Sequence, residues 1–455
     1  MKKIAICHYR VGGTDGVSLE IEKRKKILEK HGHKVKLIAG GRSNGADYTI
    51  KEMEWDNGMI PIIKENGFVH FGRNDLSAQE LKRKMNKVSL MIEERLEEIQ
   101  KKEKFDLCLV HNIFSFGGHI AAAKAFSKWI NRHRLPTLAT HHDFFWERKE
   151  FEIPINEYLR SYLKKFMPPK SAYIKHVVIN SLARKELKRR NDIEACVMPD
   201  VFDFKKKPWV KDKFNSDFLQ EFDIKENDLI ILQATRVIPR KGIELAFDYA
   251  AAMQKKIQSA PWLKTLRGKK IYNNKRLPIN PRITLILAGY AEDEKRDYLF
   301  KLKSKAFDSR LNVKFISGHV TSSRKFSNGI KTYSLWDAYV YADIISFPSV
   351  WEGWGNQFIE AIFAKKPIVI HEYPVYAKDI KQEGYEIISL GNNSVKKDEN
   401  GLYTLPQENI DKAVEQTLEC LHDKNLQKKL EKNFQIGKKY HDYEVLERFL
   451  IDNIG

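Results

Sequence analysis

The sequence predicts an α/β protein made of two Rossmann-like, doubly wound parallel-sheet domains facing a cleft. Three observations predict it. The chain has 455 residues, too many for one ordinary core and suited to two domains of about 200 residues each. Short apolar strands alternate with helical stretches in two separate series, the pattern of parallel sheets covered on both faces. Between the series, FKKKPWVKDKFNSDFLQ at 204–220 is charged and contains proline. The expected boundaries are therefore 1–203 and 221–430 for the domains, 204–220 for a linker, and 431–455 for a closing helical segment.

The first series opens with a strand at 3–7 (KIAIC), a glycine turn at 11–16 (VGGTDG), a helix at 18–30 and a strand at 35–39 (VKLIA). Leu19, Ile27 and Leu28 are the expected apolar face of that helix, and Gly32 stops it, which makes a βαβ unit. Residues 40–80 read as irregular and polar. One long charged helix follows at 81–104, then strands at 107–110 and 137–140 around the alanine-rich helix AAAKAFSKWI. Strands at 177–180 and 195–198 flank the helix SLARKELKRR.

The second series places strands at 229–234, 283–288, 313–317, 344–347 and 368–370, with a helix after Lys241 and a basic insertion within 255–281. From Ile410 onward the chain reads as helical and charged. There is no internal repeat.

Composition narrows the function classes. Hydrophobic residues make up 42%, with 25 Phe, 18 Tyr and 8 Trp, enough to fill two cores. The four cysteines form no CxxC or Cys/His cluster, which fits a reducing compartment rather than a disulfide framework or structural zinc. No apolar run approaches the roughly 18 residues of a membrane span, and MKKIAICHYR lacks the apolar core of a signal peptide. The expected location is the cytoplasm, either free or peripheral on the inner membrane face. The net charge of +20 is spread over lysine-rich helices. It suits anionic small molecules or lipid, and no nucleic-acid motif accompanies it.

In open α/β sheets ligands sit beyond the carboxyl ends of the strands, and four post-strand segments carry chemistry. Gly12 and Gly13 let backbone N–H groups approach an anion at a helix start. Arg236 and Lys241, in ATRVIPRKG, offer a planar fork and a point charge for a diphosphate. THHDFFWER brings His141, His142, Asp143 and Trp146 together, a set suited to sugar hydroxyls and apolar sugar faces. FPSVWEGWGNQFIEA sets Glu352 and Glu360 around a glycine-loosened turn. Each has a plainer structural reading, as a tight turn, solvated cations, a satisfied core histidine or solvated acids. Together they fit a nucleotide-diphosphate sugar.

These segments resemble those of the retaining glycosyltransferases of family 4, which have the GT-B fold. VGGTDGVSLEIEKRKKILEKHGHKV is similar to the family's opening loop and helix. RVIPRKG is similar to its Arg-x4-Lys-Gly segment, and YADIISFPSVWEGWGNQFIEA to its block with two glutamates eight residues apart. VINSLARKEL and VMPDVFD stand in the places of two further family segments, and KKYHDYEVLERFL resembles the final helix that crosses back to the first domain.

The resemblance implies a metal-independent hexosyltransferase needing no cofactor, with an acceptor-side first domain and a nucleotide-sugar-binding second domain. GDP-mannose or UDP-glucose is the favoured donor, and the acceptor is a hydroxyl of a small sugar, glycoside or glycan. It assigns the donor to Gly12, Gly13, Arg236, Lys241, Gly353, Trp354, Gly355, Asn356 and Glu360. It gives catalytic roles to His142, Glu352, Arg236 and Lys241, and acceptor contacts to His141, Asp143 and Trp146. No metal ligand is implied and no nucleic-acid partner is expected. Departures from the family pattern occur at Asn356-Gln357, at Lys366, at HEYPVYAKDI and at Asp200, and are expected around the donor sugar. The insertions are expected to shape an acceptor site or a membrane-facing surface. The competing readings are a sugar-nucleotide 2-epimerase on the same scaffold and a basic nucleotide- or nucleic-acid-binding protein.

Overall fold

The computed structural model describes residues 1–13, 15–41, 43–56, 58–290, 296–327, 329–392 and 395–454. The chain divides into two units, Met1–Asp200 with Tyr443–Gly455, and Val201–Asp442.

The first unit is a seven-stranded sheet in the order β3-β2-β1-β4-β5-β6-β7. Its strands are β1 (Lys3–Cys7), β2 (Lys34–Ala39), β3 (Tyr48–Thr49), β4 (Leu107–His111), β5 (Thr137–His141), β6 (Ile174–Val178) and β7 (Ala195–Val197). All pairings are parallel. Its helices are α1 (Gly16–Lys30), α2 (Ile60–Glu65), α3 (Ala78–Glu103), α4 (Ala121–His133), α5 (Glu157–Phe166) and α6 (Ser181–Asn191). Strand order reverses between β1 and β4, so the loops leaving them diverge and open a crevice at their carboxyl ends.

Helix α3 shows how sequence sets the core. Ser77 and Glu80 form a reciprocal cap at its start. Leu81, Met85, Val88, Ile92, Leu96 and Ile99 repeat every three or four residues, and all are buried. Residues 40–80 are less irregular than expected. They add β3 and α2, and Ile50, Met53, Ile63 and Phe68 join the first core. Strand β6 starts and ends earlier than the apolar run suggests, because Asn180 caps α6 through its side chain instead of extending the strand.

The second unit contains α7 (Phe218–Glu221), β8 (Leu229–Gln233), α8 (Ile243–Ile257), α9 (Ala260–Leu266), β9 (Ile283–Leu287), α10 (Arg296–Asp308), β10 (Asn312–Phe315), β11 (Val320–Thr321), β12 (Lys325–Ser327), β13 (Ile330–Ser334), α11 (Leu335–Tyr341), β14 (Ile344–Phe347), α12 (Asn356–Phe363), β15 (Ile368–Ile370), β16 (Ile388–Ser389), β17 (Lys396–Lys397), β18 (Tyr403–Thr404), α13 (Gln407–His422) and α14 (Leu426–His441). Its main sheet runs β10-β9-β8-β14-β15-β16, with the order reversing between β8 and β14. The small β11-β13-β12 sheet was not expected from sequence.

Residues 204–220 behave as part of this unit rather than as a linker. Trp209 stacks on Trp336 at 4.3 Å between ring centroids, and Asn215 Nδ2 donates to Asp337 at 2.9 Å. The final helix α15 (Tyr443–Ile454) belongs to the first unit, where Glu447 accepts from Lys30 at 2.8 Å. The chain changes unit after Asp442, so residues 431–441 stay with the second. Among the described residues no helix is long and apolar enough to cross a membrane.

Candidate active site

In the second unit the informative loops leave β8 and β14, the strands that flank the reversal. Gly242 ends the β8 loop with φ +56°, and Lys241 immediately before it turns inward. Val350 N–H donates to the Arg240 carbonyl at 3.0 Å, which ties the β8 loop to the β14 loop. Between them Glu352 is buried. Arg240 Nη1 donates to its Oε2 at 2.7 Å, and the Lys241 ammonium holds Oε1.

The electrostatics follow from that packing. Burial alone would raise the Glu352 carboxyl, but the Lys241 and Arg240 charges win and hold it at about 2. Burial pulls Lys241 down to about 8, with Glu352 opposing and the Arg240 and Arg236 charges assisting. Two cations thus hold one carboxylate and Arg236 acts on Lys241 from nearby, a surplus of positive charge suited to an entering dianion.

Gly355 starts α12 with φ +125°, and a Cβ there would stand 2.4 Å from the Tyr373 hydroxyl oxygen. Only glycine meets both demands. Tyr373 donates to the Trp354 carbonyl at 2.5 Å and so braces the turn. HEYPVYAKDI, which departs from the family pattern, thus supplies this brace. One turn into α12, Glu360 accepts from Tyr339 Oη at 2.9 Å and is half-buried, with Asn356 exposed at the helix start. Trp354 differs from expectation: its indole is buried against His441, so only its backbone borders the turn.

In the first unit, the loops after β1, β4 and β5 carry the matching set. Gly12 has φ +72°, and a Cβ on it would meet the Asn44 carbonyl oxygen at 1.9 Å. Glycine is needed there for close approach of the 43–55 segment, and Gly13 follows in the same turn. His142 is half-buried; its N–H donates to Asn112 Oδ1 at 2.8 Å, and its Nε2 lies 3.0 Å from His111 Nδ1. Burial, helped by the Arg24 charge, lowers its pKa to about 3. The imidazole is therefore neutral at physiological pH, a hydrogen-bonding group rather than a charged acid.

Helix α1 presents an unexpected face toward these histidines. Leu19 is exposed, while Glu20 and Arg24 are buried and paired at 2.7 Å. Lys23 also holds Glu20. Asp200 sits near this cluster, and burial plus Glu20 raise its carboxyl to about 7.

Two expected acceptor contacts need correction. His141, the last residue of β5, is 1% exposed and points into the core, where its Nε2 lies 2.9 Å from His176 Nδ1. Trp146 lies flat on Phe144 at 4.3 Å, and Arg190 covers its ring at 5.2 Å, so no face is left for a sugar. Asp143 stays at the open edge, accepting from Asn112 Nδ2 at 2.8 Å and from Arg148 Nε at 2.9 Å.

The departure at Lys366 is also remote from the donor loops. Its Nζ donates to the Ala342 carbonyl at 2.7 Å, at the amino end of the sheet. The 255–281 insertion lies at that same end: Tyr272 Oη donates to the Asp343 carbonyl and Lys275 Nζ to the Asp228 carbonyl, both at 2.9 Å. Asp228 and Asp343 directly precede β8 and β14, so the insertion has no part in the loops at the carboxyl ends.

Sequence reasoning missed Arg240, His111 and Asn112. Arg240 abuts Lys241, and the pair RK was the available signal. HNIF directly after β4 was the signal for the other two.

The glycosyl transferases group 1 family matches residues 215–436. Mannosylglucosylglycerate synthase of Petrotoga mobilis is 38% identical over 421 residues, covering 92% of this chain and 94% of that protein. The protein of the same name from Thermotoga maritima is 36% identical over 98% of each chain. Among solved structures, a sucrose-phosphate synthase from Thermosynechococcus elongatus superposes with a TM-score of 0.60 at 13% identity, covering 99% of this chain and 98% of that one. That likeness shows the fold alone. The two curated relatives carry the assignment: this chain belongs to the retaining glycosyltransferases of family 4, with the GT-B fold.

Proposed function

We propose that the protein transfers a mannosyl group from GDP-mannose to a hydroxyl of glucosylglycerate, with retention of configuration. The observation that carries this reading is near-full-length identity to two proteins named mannosylglucosylglycerate synthase. The geometry within each unit suits it. Within the second unit, Arg236, Arg240 and Lys241 supply fixed positive charge for a diphosphate; the family resemblance adds the Gly12–Gly13 backbone. Glu360, held by Tyr339, accepts from ribose hydroxyls. Glu352 and the backbone of the 353–356 turn hold hydroxyls of the donor sugar, and the family resemblance gives neutral His142 a further one.

In the reaction the bond from the anomeric carbon to the diphosphate oxygen breaks, and the bond to the acceptor oxygen forms on the same face. The acceptor proton passes to the departing diphosphate. Preorganised cations stabilise the charge that develops on the leaving group, each worth roughly 3–4 kcal/mol by analogy with oxyanion-hole donors. Because these charges are built in, transfer is proposed to need no metal ion and to persist in EDTA.

The test is a product assay by mass spectrometry with GDP-mannose or UDP-glucose, each with glucosylglycerate, beside thermal shifts with each free diphosphate. A ligand at 100 times its Kd adds about 2.7 kcal/mol of stability. Product with GDP-mannose and a shift with GDP support the reading. Conversion of the nucleotide sugar to its 2-epimer without acceptor, or retention on DNA without any nucleotide shift, would replace it.

A further inference from the structure

At the carboxyl edge of the first unit's sheet, two arginines lie over two aromatic rings that touch each other. Arg10, three residues beyond β1, lies over Trp55 at 5.2 Å, and Arg148, beyond β5, lies over Phe116 at 5.6 Å. Trp55 and Phe116 meet edge to face at 5.7 Å, and Tyr9 packs behind both. The row thus reads guanidinium, indole, phenyl, guanidinium. Both rings are half-buried, and both arginine side chains are 44% exposed.

The row is anchored to the candidate active site. Arg148 Nε donates to Asp143 Oδ2 at 2.9 Å, Asp143 Oδ1 accepts from Asn112 at 2.8 Å, and Asn112 Oδ1 accepts the His142 N–H. At the other end Arg10 stands two residues before Gly12. Trp55 comes from the 40–80 segment, so that insertion builds a wall beside the glycine turn. Neither arginine is fully used. Arg10 donates to Asp15 through Nη2 at 3.2 Å, and Arg148 faces Asp143 with Nε and Nη2. Among the described residues, Nη1 of each has no protein partner.

Resting on the acceptor reading above, we infer that Arg148 forms the carboxylate subsite of the acceptor, with Phe116 and Trp55 as the wall for its apolar face and Arg10 at the far end of the row, outside the subsite. The ring contact and the bond to Asp143 hold the Arg148 guanidinium in place before a ligand arrives, so less side-chain freedom is lost when a planar carboxylate is bound. A neutral acceptor of the same shape lacks the group this fork recognises. The subsite thus selects a glycerate-type acceptor over a glycerol-type one.

The experiment titrates the full-length protein with D-glycerate and with glycerol by ligand-observed NMR in 150 mM NaCl, for wild type, Arg10→Met and Arg148→Met. The same proteins are then assayed with glucosylglycerate and glucosylglycerol. Wild type is expected to bind glycerate at least tenfold more tightly than glycerol, Arg148→Met to remove most of that preference, and Arg10→Met to keep it. Arg148→Lys keeps the charge without the fork and should fall between. Equal glycerate binding by wild type and Arg148→Met, or an equal loss in Arg10→Met and Arg148→Met, overturns the subsite, even if mannosyl transfer is found. Arginine-dependent glycerate binding without transfer to either glucoside supports the subsite and rejects the transfer reading instead.

Discussion

Arg240 Nη1 stands 2.7 Å from Glu352 Oε2, and the Lys241 ammonium takes the other oxygen of the same buried carboxylate. Glu352 is thus the counter-ion of the cations assigned to the diphosphate. Glu352→Gln keeps the side chain's size and removes its charge. It is expected to lower kcat about 10²–10³-fold, the cost of one preorganised transition-state contact. The nucleoside diphosphate should bind as tightly as before or more tightly, because it becomes the main anion facing those cations. Glu352→Ala should also lower stability by about 3–5 kcal/mol, the cost of breaking a buried pair. Steady-state kinetics with diphosphate titration calorimetry reads both; a near-wild-type kcat would remove Glu352 from the mechanism.

Glu360 differs in being half-buried, with Tyr339 Oη donating to it at 2.9 Å. Glu360→Ala is expected to weaken nucleoside diphosphate binding by about 1.5–3 kcal/mol, the range for hydrogen bonds to a charged group. Tyr339→Phe removes only the orienting bond and should cost about 1 kcal/mol. Calorimetry with the nucleoside monophosphate as well as the diphosphate should show the same loss for both ligands. A loss confined to the diphosphate would place Glu360 at the phosphates instead of the ribose.

The contrast between legible and hidden residues has a physical basis. Glu352, Lys241 and Glu360 could be placed because a strand, a turn and a helix start are local events, and the ligand face of a parallel sheet follows from them. His141 and His142 could not be told apart: successive residues at a strand end point to opposite faces, and only the neighbours decide which enters the core. His176 on the adjacent strand claims His141. Glu20 and Arg24 were hidden for a related reason, since charges one turn apart usually mark a solvated helix face. Here they are buried as a pair beneath the histidines. Arg240 was masked by a lysine-rich background that gives one more cation no distinction.

Asp200 is the position where the family pattern has asparagine, and burial, with the Glu20 charge second, raises its carboxyl from 3.8 to about 7. The folded state therefore binds a proton that the unfolded chain releases near pH 4. This contribution to stability is present in full below pH 3.8 and is lost as pH rises through 7. Asp200→Asn escapes the loss. Its melting temperature should match wild type near pH 4 and exceed it progressively up to pH 8, by the equivalent of about 1–2 kcal/mol after allowing for partial exposure. Parallel melts between pH 4 and pH 8.5 measure the difference. A constant offset would mean that Asp200 titrates normally.

Lys275 tests where the basic insertion acts. Asp343 is fully buried at the amino end of β14 and accepts from Lys275 Nζ at 2.5 Å, Asn273 Nδ2 at 2.6 Å and the Ile230 N–H at 2.8 Å. Lys275→Met removes that charged donor and leaves the Asn273 and Ile230 donors, with the Lys366 ammonium as a nearby cation. The pair is partly reached by solvent, so the cost should fall somewhat below the full penalty for breaking a buried pair, at about 2–3 kcal/mol. Because the insertion sits at the sheet end opposite the β8 and β14 loops, neither the donor KM nor the acceptor KM should change at a temperature where the variant is folded. Melting curves and steady-state kinetics on the same preparation separate the two effects. A raised acceptor KM with unchanged melting would assign the insertion to the acceptor, as the sequence alone had suggested. Lost stability with intact KM values makes it a clamp that closes the buried end of the sheet over a charge.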